Sequence, residues 1–360
     1  MSDFIVRRDD LRDCRIAESE VPELEPGQAL LRVDSFGLTA NNITYAVLGE
    51  LMSYWDFFPA EEGWGRIPMW GFADVERSDA DDVEPGVRVY GYLPPSSYLV
   101  VTPARAGADG FVDASPQRAA LPATYQRYAA TEGDPFYEVD TEDLQMLLRP
   151  LFFTSFLIDD ELVDEGLTAR GPVVISSASS KTAIGAAYLL SQREGVELIG
   201  LTSPRSADFV EALGVYDHTV AYDAIESLER APATFVDIAG DAKVRLAVHS
   251  HYGDELIRSV IVGRTHWEGA GNGQGELPGP SPTIFFAPDR VTKRSGDWGR
   301  VALQSRVADA WHPFCEWTGG WLEVAHDGGF EAVQRVYLDV LEGRVDPKSA
   351  NVLSIDQTVG

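Results

Sequence analysis

The segment Val173-Val174-Ile175-Ser176-Ser177-Ala178-Ser179-Ser180-Lys181-Thr182-Ala183-Ile184-Gly185 holds the residues best suited to chemistry. An apolar, β-branched run leads into a turn of small residues and then into the start of a helix. Such a turn lets backbone N–H groups and the positive end of the helix dipole meet a diphosphate. Of the glycines usual in such a turn only Gly185 remains. Lys181 and Thr182 would add a point charge and a hydroxyl at the helix start. The next apolar run, residues 196–201, ends in Thr202-Ser203-Pro204-Arg205-Ser206. A site for NAD would carry an acid there to bind the ribose 2′-hydroxyl. Hydroxyls with an arginine fork suit a 2′-phosphate instead, so the expected cofactor is NADP(H).

These residues need a scaffold that brings strand ends to one edge. The spacing predicts a helix over 147–163, a strand over 172–176, a helix over 182–192 and a strand over 196–201. A helix over 207–213, closed by Gly214, and strands over 216–220, 234–238 and 256–262 follow. Continuous apolar strands alternating with helices make a parallel sheet covered on both faces. Residues 269–282 read as loop, 296–317 as one long helix, 329–341 as another and 351–355 as a closing strand. The first 100 residues differ. Strands at 29–33, 87–92 and 97–101 each follow a Pro-Gly or Pro-Pro turn, which argues for a small barrel or sandwich. Residues 104–145 read as an irregular insertion.

The chain of 360 residues predicts two domains at roughly 150 residues each. Acids outnumber bases by 57 to 29, for a net charge of −28, and only four of the bases are Lys. That balance argues against a nucleic-acid backbone as partner, and against an electrostatic membrane-surface role. Cys14 and Cys315 cannot build a disulfide framework or a structural zinc site. The start of the chain lacks a signal-peptide run, and the longest apolar run, 151–158, is too short to cross a bilayer. A cytoplasmic protein is expected.

Taken in order, the turn, Thr202 to Arg205, and then Leu213-Gly214-Val215-Tyr216-Asp217-His218-Thr219-Val220-Ala221-Tyr222-Asp223 resemble the medium-chain dehydrogenase/reductase superfamily, in its quinone-reductase-like branch. Phe235-Val236-Asp237-Ile238-Ala239-Gly240 looks like that branch's next strand and turn. Pro26-Gly27-Gln28-Ala29-Leu30-Leu31-Arg32-Val33 and Val83-Glu84-Pro85-Gly86-Val87-Arg88-Val89-Tyr90-Gly91 resemble parts of its GroES-like barrel. The chain resembles more closely a bacterial family of this superfamily, DUF2855, to which no reaction is assigned. The resemblance implies an α/β fold. A Rossmann doubly wound parallel sheet would span 151–318, and a GroES-like β-barrel catalytic domain 1–150 with 319–360. It implies cofactor contacts at Ser179, Ser180, Lys181, Thr182, Ser203, Arg205, Tyr222, Gly240, Gly263 and Arg264. It also implies a homodimer in which the strand at 256–262 pairs across a two-fold.

The zinc-dependent branch has a Cys ligand, a His-Glu pair and a four-cysteine lobe, and none of these appears at the matching places here. No metal is therefore expected. Ala40-Asn41-Asn42-Ile43-Thr44-Tyr45-Ala46-Val47-Leu48-Gly49 resembles the Asn-Pro-x-x-x-Tyr stretch of quinone and enoyl reductases, which places Tyr45 at an active-site tyrosine. A phenol is protonated at pH 7 and can donate to a carbonyl oxygen as charge grows on it. Asn41 or Asn42 would orient substrate or nicotinamide. Tyr54, Trp55, Phe57, Phe58, Trp64, Trp70, Trp267, Phe285 and Phe286 would wall an apolar pocket. Lys293 and Arg294 would meet phosphate or an anionic substrate.

The expected reaction is NADPH-dependent, zinc-independent reduction of an activated C=C bond or a quinone, on an apolar or aromatic carbonyl compound. Two alternatives stay open: a nucleotide-binding protein without redox turnover, and a lyase or isomerase on the same fold.

Overall fold

The structure, a computed structural model, describes residues 1–119, 121–238, 240–262 and 277–355. In chain order the first strands are β1 (Ser2–Arg7), β2 (Cys14–Glu18) and β3 (Ala29–Leu38). Helix α1 (Ala40–Val47) follows, then β4 (Trp64–Gly65), β5 (Met69–Ser78), β6 (Arg88–Leu93), β7 (Tyr98–Val101), β8 (Pro103–Gly107), β9 (Gly110–Asp113) and β10 (Arg127–Ala130). Helix α2 (Glu142–Asp164) leads to alternating elements: β11 (Val173–Ile175), α3 (Lys181–Ser191), β12 (Leu198–Thr202), α4 (Ala207–Ala212), β13 (His218–Ala221), β14 (Ala233–Asp237), α5 (Ala242–Tyr252), β15 (Leu256–Val262) and β16 (Thr283–Phe285). Helices α6 (Ala287–Trp298) and α7 (Arg300–Thr318), then β17 (Glu323–Gly328), α8 (Phe330–Leu341) and β18 (Ser349–Ser354), complete the chain. The chain divides into Met1–Pro150 with Leu322–Gly360, and Leu151–Trp321.

The first unit is a mostly antiparallel barrel-like assembly, joined from the end of the chain by β18, antiparallel to β3, and by β17, parallel to β18. Its main sheet runs β17-β18-β3-β5-β6-β10-β9-β8, with β7 also paired to β3. Its core is rich in rings: Phe4, Phe36, Trp55, Phe57, Phe58 and Tyr92 are fully or almost fully buried. The second unit is a six-stranded sheet in the order β13-β12-β11-β14-β15-β16, parallel throughout. Strand order reverses between β11 and β14, and ligands of such sheets bind beyond the strand ends at that point. Val173 to Ile175 are wholly buried because helices cover both faces, which is why these strands are apolar without alternation. The expected α/β architecture, a doubly wound sheet with a barrel, is the one observed.

Three expectations need correction. Residues 104–145 are not irregular: they contain β8, β9 and β10. Gly110, at φ +108°, is what allows it, since a Cβ there would lie 2.0 Å from the Tyr128 carbonyl oxygen. The helix expected over 296–317 is two helices, starting earlier and broken at Gly299, which has φ +87°. Strand β15 cannot pair across a two-fold, because β14 and β16 flank it on both sides. The loop expected over 269–282 lies outside the described residues up to 276. Among the described residues, no helix is long and apolar enough to cross a membrane.

Candidate functional site

The turn after β11 is the centre of the second unit's candidate site. Ser177 adopts a left-handed backbone, φ +55°, a conformation costly for a residue with a Cβ. Ser180 caps α3, its hydroxyl accepting from the Ala183 N–H at 3.4 Å. Ser179 lies in the turn, and Lys181 and Thr182 form the first turn of α3, half-buried. Gly185 serves packing: a Cβ there would lie 2.7 Å from Ser155 Oγ, which donates to the Thr182 carbonyl at 2.8 Å.

Beneath the turn lies a polar network that sequence reasoning missed. Asp237 ends β14 with no exposed surface. Its Oδ1 accepts from Ser176 Oγ at 2.8 Å and from the Gly240 N–H at 3.0 Å, and its Oδ2 accepts from Arg245 Nη1 at 3.0 Å. Ser176 Oγ in turn accepts from the Ile238 N–H at 3.0 Å. Tyr222 Oη accepts from the Ser177 N–H at 3.0 Å. Burial raises the Tyr222 phenol, with the Ser177 bond working against it. An acid closing an apolar strand, with an arginine eight residues later, was the available signal.

Beyond β12, Ser203 Oγ donates to Ser206 Oγ at 3.2 Å. Arg205 is exposed and makes no ion pair among the described residues. No acid stands between Thr202 and Ser206. A guanidinium with open donors beside hydroxyls fits a phosphate monoester, and the turn between β11 and α3 fits a diphosphate. Gly240, at φ +64°, belongs to the network above. Gly263, Arg264 and Trp267 lie outside the described residues. Lys293 and Arg294 are both engaged in ion pairs, Arg294 buried and Lys293 at the surface. Arg294 is 9% exposed and pairs with Asp160, Asp164 and Asp297, while Lys293 pairs with Asp164 and Asp297.

In the barrel unit, Tyr45 sits on α1, buried to 6% exposure. Its oxygen accepts from Asn41 Nδ2 at 2.7 Å and from Trp70 Nε1 at 3.2 Å. Asn41 precedes Tyr45 by four residues, one helical turn, so the two side chains share a face. Burial pushes the phenol well up, aided by Tyr125, and the donors from Trp70 and Asn41 work against it. Tyr45 is therefore protonated throughout the neutral range. Its ring lies 4.7 Å from Tyr54 and 5.6 Å from Tyr92. Asn42 does a different job: its Oδ1 accepts from the Thr39 N–H at 2.8 Å, and its Nδ2 donates to the Pro68 carbonyl at 3.0 Å. Both ends of that amide are spent on the helix cap and the barrel, so the structure gives Asn42 a holding role. Of the aromatics expected to wall a pocket, Tyr54, Phe57 and Trp70 pack with Tyr92 and Tyr125 around Tyr45. Trp55 instead fills the gap between Gly49 and Gly65, and Trp64 lies under Arg7 and Arg15. Among the described residues no three His, Cys, Asp or Glu side chains group as metal ligands.

Comparison with known proteins adds to this geometry. Residues 36–346 match the model of a family described as a protein of unknown function (DUF2855). Among solved structures the chain is similar to CurA from Vibrio vulnificus in complex with NADPH, at 13% identity and TM-score 0.62, covering 99% of this chain and 100% of that one. It is similar to the yhdH oxidoreductase from Salmonella enterica in complex with NADP, at 15% identity and TM-score 0.54, covering 99% and 100%. It is similar also to the CurK enoyl reductase, at 15% identity and TM-score 0.53, covering 98% and 99%. No curated protein matches. At these identities the likeness shows the fold alone, a doubly wound parallel sheet with a barrel.

Proposed function

The chain belongs to the DUF2855 family, and we propose that it is an NADP(H)-dependent oxidoreductase, at finer grain a zinc-independent reductase of an activated C=C bond or a quinone. The observation that carries this reading is Arg205, exposed and without an ion pair among the described residues, beside Ser203 at the end of β12. The solved structures of like fold that hold NADPH or NADP support it. Bound NADPH would supply the hydride. Ser179, Ser180, Lys181 and Thr182 would hold its diphosphate, and Ser203 with Arg205 its 2′-phosphate. Tyr45 would donate its phenol proton as negative charge grows on a carbonyl oxygen of the substrate, an apolar or aromatic compound. Asn41 and Trp70, donating into the phenol oxygen, would stabilise the phenolate left behind. The chain is proposed to form a homodimer. Strand β16, one of the two edges of the parallel sheet, would carry it, with Ile284 and Phe286 exposed.

Titrating NADPH against the protein by nucleotide fluorescence tests the cofactor. Arg205→Ala is expected to raise Kd about tenfold, the loss of one charged hydrogen-bonded contact. An unchanged Kd removes the 2′-phosphate assignment. Tyr45→Phe is expected to lower turnover by about a hundredfold with NADPH affinity intact. Equal turnover removes Tyr45 from the chemistry. The hydroxyl-bearing turn favours a second reading, nucleotide binding without redox turnover. That reading predicts no NADPH consumption over a panel of enones, quinones and acyl thioesters.

A further inference from the structure

The turn after β11 lacks the glycines that usually shape a diphosphate cradle, yet it adopts a glycine-like backbone at Ser177. Something must hold it there. The structure offers a fixture at the point where strand order reverses. Asp237, at the end of β14, reaches across to Ser176 at the end of β11 and down to the Gly240 N–H of its own turn. Arg245, one turn into α5, closes on its other oxygen. Ser176 Oγ passes the connection on by accepting from the Ile238 N–H. The two turns that border the crevice are thus fastened by one buried carboxylate. Tyr222, arriving after β13, fixes the Ser177 N–H from the other side.

We propose that Asp237, held by Arg245, is a positioning residue for the cofactor: it latches the turns after β11 and β14 together and sets the diphosphate cradle that glycines do not set here. This rests on the NADP(H) reading above. The latch touches no part of the nucleotide. It acts by fixing Ser176 and, with Tyr222, the Ser177 backbone, so that the following N–H groups face one anion. A carboxylate suits the task because it accepts from several directions at once, and burial removes the water that would compete for those donors. Arg245 supplies the compensating charge such burial requires. The predicted signature is selective. Weakening the latch should loosen the grip on the diphosphate and leave the 2′-phosphate site around Ser203 and Arg205 as it was.

The experiment measures Kd for NADPH and for 2′-AMP, which carries the 2′-phosphate but no diphosphate. The proteins are wild type, Asp237→Asn, Ser176→Ala, Arg245→Met and Arg245→Lys, with thermal unfolding recorded for each. Asp237→Asn keeps the shape but sets an amide against Arg245. It is expected to raise the NADPH Kd about tenfold, with 2′-AMP within about twofold of wild type. Ser176→Ala removes one thread without a buried charge, and is expected to shift NADPH in the same direction by about threefold. It keeps the test alive if Asp237→Asn does not fold. Arg245→Lys should recover part of what Arg245→Met loses. NADPH affinity unchanged in folded Asp237→Asn and Ser176→Ala overturns the latch. So does a loss shared equally by both ligands, which is what a merely structural role gives. If the wild-type protein binds neither ligand, the cofactor reading has failed and the latch falls with it.

Discussion

The two units hold their candidate chemistry in opposite ways. In the barrel unit, Tyr45 is part of the hydrophobic core. It packs among Tyr54, Tyr92, Phe57 and Trp70, and its oxygen is held by Asn41 and Trp70. In the sheet unit the candidate turn carries only small side chains, and its shape is set by hydrogen bonds to Asp237 and Tyr222 beneath it. One region would make its proposed reactive group out of packing, so that reactivity and stability would change together. The other would separate them, with a surface proposed to touch the ligand and a network beneath it that would not. Rings tolerate little change in such a core, while small-residue turns depend on whatever fixes their backbone.

The harshest way to break this contrast is to empty the barrel core. Trp55 is 1% exposed, and Cβ atoms at Gly49 or Gly65 would lie 2.1 and 2.4 Å from its ring. Trp55→Ala should cost about 3–5 kcal/mol by urea denaturation. A loss below about 1 kcal/mol, the size of an ordinary surface change, would show that the rings are not what holds this unit.

A pH series sharpens the contrast at intermediate cost. Burial raises the phenols of Tyr45, Tyr90, Tyr92 and Tyr125. In the unfolded chain they ionise near pH 10, so their contribution is complete below about pH 10 and is lost as pH climbs above it. Tyrosinate absorbance should therefore lag behind that of free tyrosine, then rise together with the loss of the circular-dichroism signal. In the sheet unit His249 is fully buried. Its Nδ1 donates to the Pro278 carbonyl at 2.8 Å, which leaves Nε2 to accept from Ser259 Oγ at 2.9 Å. Burial lowers its pKa, so its contribution is present above about 6.5 and is lost as pH falls below that. His249→Asn should flatten this acid limb and leave the alkaline one. Early ionisation of the barrel phenols without unfolding would contradict their burial.

The mildest test is Ser177→Gly. It relieves a left-handed serine, and thermal unfolding should show a gain of about 0.5–1 kcal/mol, net of glycine's extra freedom in the unfolded chain. Lower stability would mean that the serine side chain itself holds the turn.

Legibility in the sequence followed the same division. The parallel strands could be read because burial on both faces makes them apolar runs, as at Val173–Ile175. Strands β8 to β10 could not, since Gly110 and its alanine neighbours carry no period and only the approach of the Tyr128 carbonyl explains them. The break at Gly299 was hidden because a lone glycine does not by itself end a helix, and only its φ of +87° marks the break. Tyr45 was singled out through its match to a motif, and the structure places it in the barrel core. Asp237 was not singled out, because an acid after an apolar run looks like a solvated turn until its partners, Ser176 sixty-one residues earlier and Arg245 eight later, are placed beside it. The second asparagine of the Asn41-Asn42 pair, which resemblance offered as a substrate ligand, is the third residue of a Thr39 capping box.

Only four side chains bear a primary amine, and one of them, Lys181, opens α3 at the turn itself. Two of the others, Lys293 and Lys348, are engaged with Asp164 and Asp297 and with Glu323. To an amine-directed reagent the molecule is nearly blank. Reductive methylation with isotopically labelled formaldehyde would write a countable handful of spectroscopic marks on it, one of them inside the crevice, so that occupancy could be followed by a single resonance in the unmutated chain.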